Sequence, residues 1–118
     1  MRDATPGRLE LDIDRRNGTT VVRAAGEVDL ENAEALAAAL RTATEGSEDA
    51  VVLDLIGVPF MDSSGLQVLL VASRQLGDRL ALALRSGSPV AHLLELAEVR
   101  DRFTAYPSAE DAIRAGAG

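Results

Sequence analysis

A single α/β domain, built on a mixed β-sheet that opens with an antiparallel hairpin and is covered by about four helices, is the fold this 118-residue sequence predicts. Three observations carry that reading. Two strand-like stretches are joined by Asn17-Gly18, a short apolar run follows at Ala50–Ile56, and apolar residues elsewhere recur at intervals of three and four. Parallel neighbours need helical crossovers whereas a hairpin does not, so a hairpin followed by alternating strands and helices makes the sheet mixed.

Arg8–Asp14 sets Leu9, Leu11 and Ile13 against Glu10, Asp12 and Asp14, the period-two pattern of a strand with one buried and one wet face. Arg16-Asn17-Gly18 supplies residues tolerant of positive φ, and Thr19–Ala25 returns as the second strand. From Leu30 to Thr44 the positions Leu30, Ala33, Leu36, Ala37, Leu40 and Ala43 form one helical face, with Asp29 expected at the N-cap. Ala50–Ile56 reads as a covered central strand that Gly57-Val58-Pro59 should end. A second helix is expected over Leu66–Leu76, with Leu66, Leu69, Leu70, Ser73 and Leu76 on one side and Gly77 as its stop. Arg79–Leu84 reads as a strand and Pro89–Leu96 as a helix opened by Ser88. Phe103–Ala105 reads as an edge strand and Ser108–Ala115 as the last helix. The domain should span 1–118, with frayed ends near 1–7 and 115–118.

Composition narrows the chemistry. Hydrophobic residues make up 47% of the chain but aromatics only 3%, so the core is aliphatic and stacking on nucleobases is disfavoured. Nineteen acidic against twelve basic residues give a net charge of −7, which opposes nucleic acid and anionic membrane partners. All the basic residues are Arg; the absence of Lys excludes Schiff-base and P-loop chemistry, and the absence of Cys excludes thiol catalysis and thiolate metal sites. His92 is the single histidine and receives no role. No cofactor, metal or catalytic residue is expected, and the protein is read as a non-enzyme. The amino terminus lacks an apolar signal and no stretch approaches a membrane span, which leads us to expect a cytoplasmic protein.

The segment Val51–Leu66 is the most informative: a buried strand, a short loop, then Asp62-Ser63-Ser64-Gly65 opening a helix. Functional sites in open α/β sheets tend to lie just beyond strand ends, where helix N-termini accept anions. The same small polar residues are also preferred N-caps, so spacing alone leaves a site and a simple cap equally open.

The run VVLDLIGVPFM followed by DSSGL, together with Gly26-Glu27-Val28-Asp29 upstream, resembles the stand-alone anti-sigma factor antagonists of the STAS domain family, in element order over nearly the whole chain. That resemblance implies a STAS-like fold and a phosphoacceptor at Ser63, with Ser64 as the alternate. It also implies two partners, an anti-sigma factor with serine kinase activity and a serine phosphatase, acting in a partner switch. Glu27, Asp29, Phe60, Met61, Asp62, Gly65 and Gln67 are the expected partner-binding residues. The chain departs from the family pattern at Gln67, often Gly, and at Pro59.

Three of these carry structural alternatives. At least one of Phe60 and Met61 is expected to tuck under the helix, and for Asp29 a contact, with Glu27, to basic groups on the kinase stands level with a simple cap of the first helix, the two being compatible. Rival functions are a receiver-like domain phosphorylated at Asp54, a serine hydrolase, and a STAS scaffold that binds a partner or a nucleotide without phosphorylation. The receiver lacks its Lys and its paired carboxylates, and the hydrolase lacks a G-x-S-x-G elbow.

Overall fold

The computed structural model describes residues 8–116. Five strands stand side by side in sequence order: β1 (Leu9–Arg16), β2 (Thr19–Val28), β3 (Ala50–Met61), β4 (Leu80–Ala83) and β5 (Ala105–Tyr106). The first pair is antiparallel, from Leu9↔Gly26 to Arg16↔Thr19, and the Asn17-Gly18 turn closes it with Gly18 at φ 79°. The remaining pairs are parallel and are joined by α1 (Ala33–Thr44), α2 (Ser63–Leu76) and α3 (Pro89–Leu96), with α4 (Ala109–Arg114) following β5. The expected mixed sheet with four helices is the fold observed.

Alternation along the strands assigns each helix a side. Val22, Ala24, Val51, Leu53, Leu55, Leu80 and Leu82 face one way and pack with Leu36 and Leu40 of α1, Leu69 of α2, and Val90 and Leu94 of α3. Val21, Val52, Ala81 and Ala83 face the other way against Ala109 and Ala112 of α4. The small residues on that second side let a short helix approach the sheet closely. Beyond α4, the same face carries the ion pairs Arg16–Asp14 at 2.8 Å and Arg23–Asp54 at 3.1 Å.

Beyond β2, which runs on to Val28 instead of ending at Ala25, and the start of α2, three differences from the sequence expectation shape the fold. First, β3 does not end at Gly57-Val58-Pro59. It runs on to Met61 because two register irregularities against β2 absorb the extra residues, the partners passing from Arg23↔Asp54 to Ala25↔Gly57 to Glu27↔Phe60. A bulged stretch tolerates Pro59, which has no N–H to give the ladder. The Asp54 side chain accepts the N–H of Ile56 at 3.0 Å inside the first irregularity. Second, α1 starts at Ala33 with Asn32 at the cap position, leaving Leu30 outside the helix and 80% exposed. Asp29 and Asn32 close a turn instead. Asp29 Oδ1 accepts from Glu31 N–H, Asn32 Oδ1 accepts from Asp29 N–H, and Asn32 Nδ2 donates to the Glu27 carbonyl. Third, the last strand sits at Ala105–Tyr106, one to two residues later than expected.

Of the expected frayed ends, 1–7 and 117–118 lie outside the described residues. Ala115 and Gly116 are still hydrogen-bonded, to the carbonyls of Asp111 and Ile113.

Candidate functional site

The ends of β2 and β3 bring the two sequence motifs together. Glu27 pairs with Phe60 and Val28 with Met61, and the Asp62 N–H donates to the Val28 carbonyl at 3.1 Å, so the ladder continues to the edge of α2. Residues more than thirty positions apart thereby form one rim. Asp62 leaves the ladder in extended conformation, and its Oδ1 accepts from Ser64 N–H at 2.8 Å, the N-cap bond of α2. Such a cap is worth about 1 kcal/mol, and its negative charge suits the helix N-terminus. The helix therefore begins at Ser63, three residues ahead of the expected Leu66.

Ser63 occupies the first helical position and is exposed, whereas Ser64 is half-buried. The two aromatic and sulfur neighbours separate in the same way. Phe60 is 49% exposed at the rim, and Met61 is 5% exposed inside the core. One residue of the pair thus tucks under the helix and the other faces outward. Gly65, expected among the partner contacts, is buried. A Cβ there would stand 2.5 Å from Met61 Cγ and 2.8 Å from Val28 Cγ1. Met61 and Gly65 thus seat α2 on the strand ends. Gln67 is exposed one turn along α2, and Glu27 and Asp29 are half-buried, with Asp29 engaged in the turn described above.

Gly26 allows β1 to approach β2 closely just before the rim. At φ 115° its Cβ position would fall 2.3 Å from the Arg8 carbonyl oxygen, and the neighbouring Glu27 N–H donates to that same oxygen at 3.1 Å. Sequence reading missed Asn32, whose Asp-x-x-Asn spacing with Asp29 was the available signal, and it placed Leu30 on the apolar face of the first helix.

The arrangement disposes of the receiver reading. The side chain of Asp54 is only 11% exposed, its two oxygens are committed to Arg23 and Ile56, and the chain opens with an antiparallel hairpin instead of a β-α-β unit. Among the described residues no group of three or more His, Cys, Asp or Glu is placed to hold a metal ion, and no helix is long and apolar enough to cross a membrane.

Residues 10–112 match the family model of the STAS domain. The anti-sigma-F factor antagonist RsfB of Mycobacterium tuberculosis is 27% identical over 117 residues that cover 96% of each chain. BtrV of Bordetella bronchiseptica is 30% identical over 105 residues, 86% of each chain. The crystal structure of an anti-sigma factor antagonist from Mycobacterium paratuberculosis superposes with a TM-score of 0.84 at 27% identity, covering 95% of this chain and 97% of that one. This chain belongs to the STAS domain family, and the relatives it matches along nearly their full length include anti-sigma factor antagonists.

Proposed function

We propose that the protein is an anti-sigma factor antagonist controlled by phosphorylation of Ser63. The unmodified form captures an anti-sigma factor that is also a serine kinase, which frees a sigma factor. Phosphorylated Ser63 prevents capture until a serine phosphatase removes the group. The observation that carries this reading is the exposure of Ser63 at the first position of α2, beside the outward-facing Phe60 and Gln67.

The electrostatics support a switch that acts on binding and spares the fold. A phosphoryl group adds about −1.5 to −2 charge and three acceptor oxygens. The α2 N-terminus favours that anion by about 0.3–1 kcal/mol, and Asp62 next to it opposes by a similar amount, so the folded state changes little. In a partner interface the same dianion loses water without gaining a matched cation, a mismatch worth several kcal/mol. About 4 kcal/mol is already a thousandfold in affinity.

The test is to purify each anti-sigma factor kinase of the source organism in turn and incubate it with the protein and labelled ATP. Label is expected on Ser63, and the Ser63→Ala variant should bind the kinase and accept no label. Label persisting in Ser63→Ala, at Ser64 or elsewhere, would overturn the assignment.

A further inference from the structure

A groove of about 560 Å³ runs between α1 and α2 on the outer side of the helical layer. It begins at Leu30 and Ser64, beside the Ser63 rim, and ends at Thr44 and Leu76, so it follows both helices along their length. Twelve residues of α1 at 1.5 Å each make it about 18 Å long, three turns of a third helix. Its walls include Ala37 and Val71, both half-exposed, and its mouth carries Leu30, the most exposed large apolar residue of the described chain.

We infer that this groove seats an amphipathic, basic-flanked helix of the anti-sigma factor, which extends the Ser63 contact along α1 and α2. The inference rests on the partner-switch reading above. Two observations choose this occupant. The first is continuity: Ser64 and Gln67 line the groove and also flank Ser63, so a partner seated at the rim reaches the groove without a gap. The second is charge. Asp29 and Glu31 adjoin Leu30, and Asp62 caps the helix that begins at Ser63, so the acidic side chains gather at the mouth. Glu34 and Arg41, which line the wall, are paired with each other at 2.6 Å and cancel. An anionic amphiphile therefore meets unpaired acidic charge where it must enter and finds no free cation among the described residues of the wall, whereas a helix with Lys or Arg beside its apolar face meets complementary charge at the mouth. A phosphoryl group on Ser63 would stand at the mouth of this channel, where the partner helix must enter.

Ala37→Phe fills the channel and Val71→Asp places a charge in it. Neither side chain belongs to the packed core, so the fold should tolerate both. Leu96→Asp, at another exposed apolar residue on α3, is the control. Affinity for the purified anti-sigma factor kinase is measured by calorimetry with full-length proteins, and a photo-crosslinking phenylalanine analogue at position 71 reports what lies in the groove. We expect the two groove variants to bind at least about tenfold more weakly, the control to match wild type, and the crosslink to map to a helix of the kinase. Wild-type affinity in both groove variants, or a crosslink mainly between two copies of this chain, would overturn the inference while leaving the Ser63 switch intact. If wild-type protein binds no anti-sigma factor, the switch reading itself fails and takes the groove assignment with it.

Discussion

Replacing Gly65 by Ala should destabilise the protein even though Ala is the better helix former. In an open helix the change gains about 0.8–1 kcal/mol of propensity. Here the added methyl meets Met61 Cγ at 2.5 Å, Val28 Cγ1 at 2.8 Å and Met61 Sδ at 3.0 Å. Carbon atoms in contact prefer about 3.5–4.0 Å, so roughly 1 Å must open. Met61 has rotatable bonds to spend, but Val28 is fully buried, has a stiff branched side chain and cannot retreat. Either α2 lifts from the strand ends or the core beneath it distorts. Overpacking of this kind costs about 1–3 kcal/mol, and with two contacts under 3 Å the upper half of that range applies. Net of propensity, Gly65→Ala should lose about 1–2 kcal/mol, which in a domain of this size lowers Tm by roughly 4–8 °C. Thermal and urea unfolding followed by far-UV circular dichroism measure it. The double variant with Val28→Ala supplies the missing space, so its loss should be smaller than the sum of the two single losses by about 1 kcal/mol. A Gly65→Ala protein as stable as wild type, or strict additivity with Val28→Ala, would refute the packing argument.

Substitutions at two further positions probe the sheet. Thr20 Oγ1 is fully buried without a hydrogen-bond partner, so Thr20→Val should raise stability by about 1 kcal/mol, read as a higher urea midpoint at constant slope; a lower midpoint would mean the hydroxyl has a partner. Asp54→Asn keeps an acceptor for the Ile56 N–H and loses the charge opposite Arg23, whereas Asp54→Ala loses both. Equilibrium unfolding should rank Ala below Asn by about 1–3 kcal/mol, and equal losses would show that the Ile56 bond contributes nothing.

Most of the fold was legible because its signals are local. The alternation of Leu9, Leu11 and Ile13, the Asn17-Gly18 turn, and Ser88-Pro89 opening a helix each state their structure within a few residues, and β1, the hairpin and α3 follow within two residues. What could not be read depends on partners distant in sequence. Whether Gly57-Val58-Pro59 breaks a strand is decided by β2, which pairs through the irregularities and carries β3 to Met61. Leu30 has the right spacing for the α1 face, but the Asp29–Asn32 turn delays the helix and expels it. At the site, the motif residues divide into functions that residue type does not reveal. Ser63 and Phe60 face outward, while Met61 and Gly65 hold the platform, and only the β2–β3 register distinguishes them. Without that register Glu27 would not meet Phe60, nor would the Asp62 N–H reach the Val28 carbonyl.

The central claim is that one modification at the start of α2 changes partner affinity and leaves the fold unaltered. The direct measurement is calorimetric affinity for the anti-sigma factor kinase, comparing unmodified protein with protein shown by mass spectrometry to carry one phosphoryl group on Ser63. The account predicts binding weaker by at least about a hundredfold with Tm essentially unchanged. Equal affinity of the two forms would contradict it, as would weaker binding accompanied by unfolding of the phosphorylated protein.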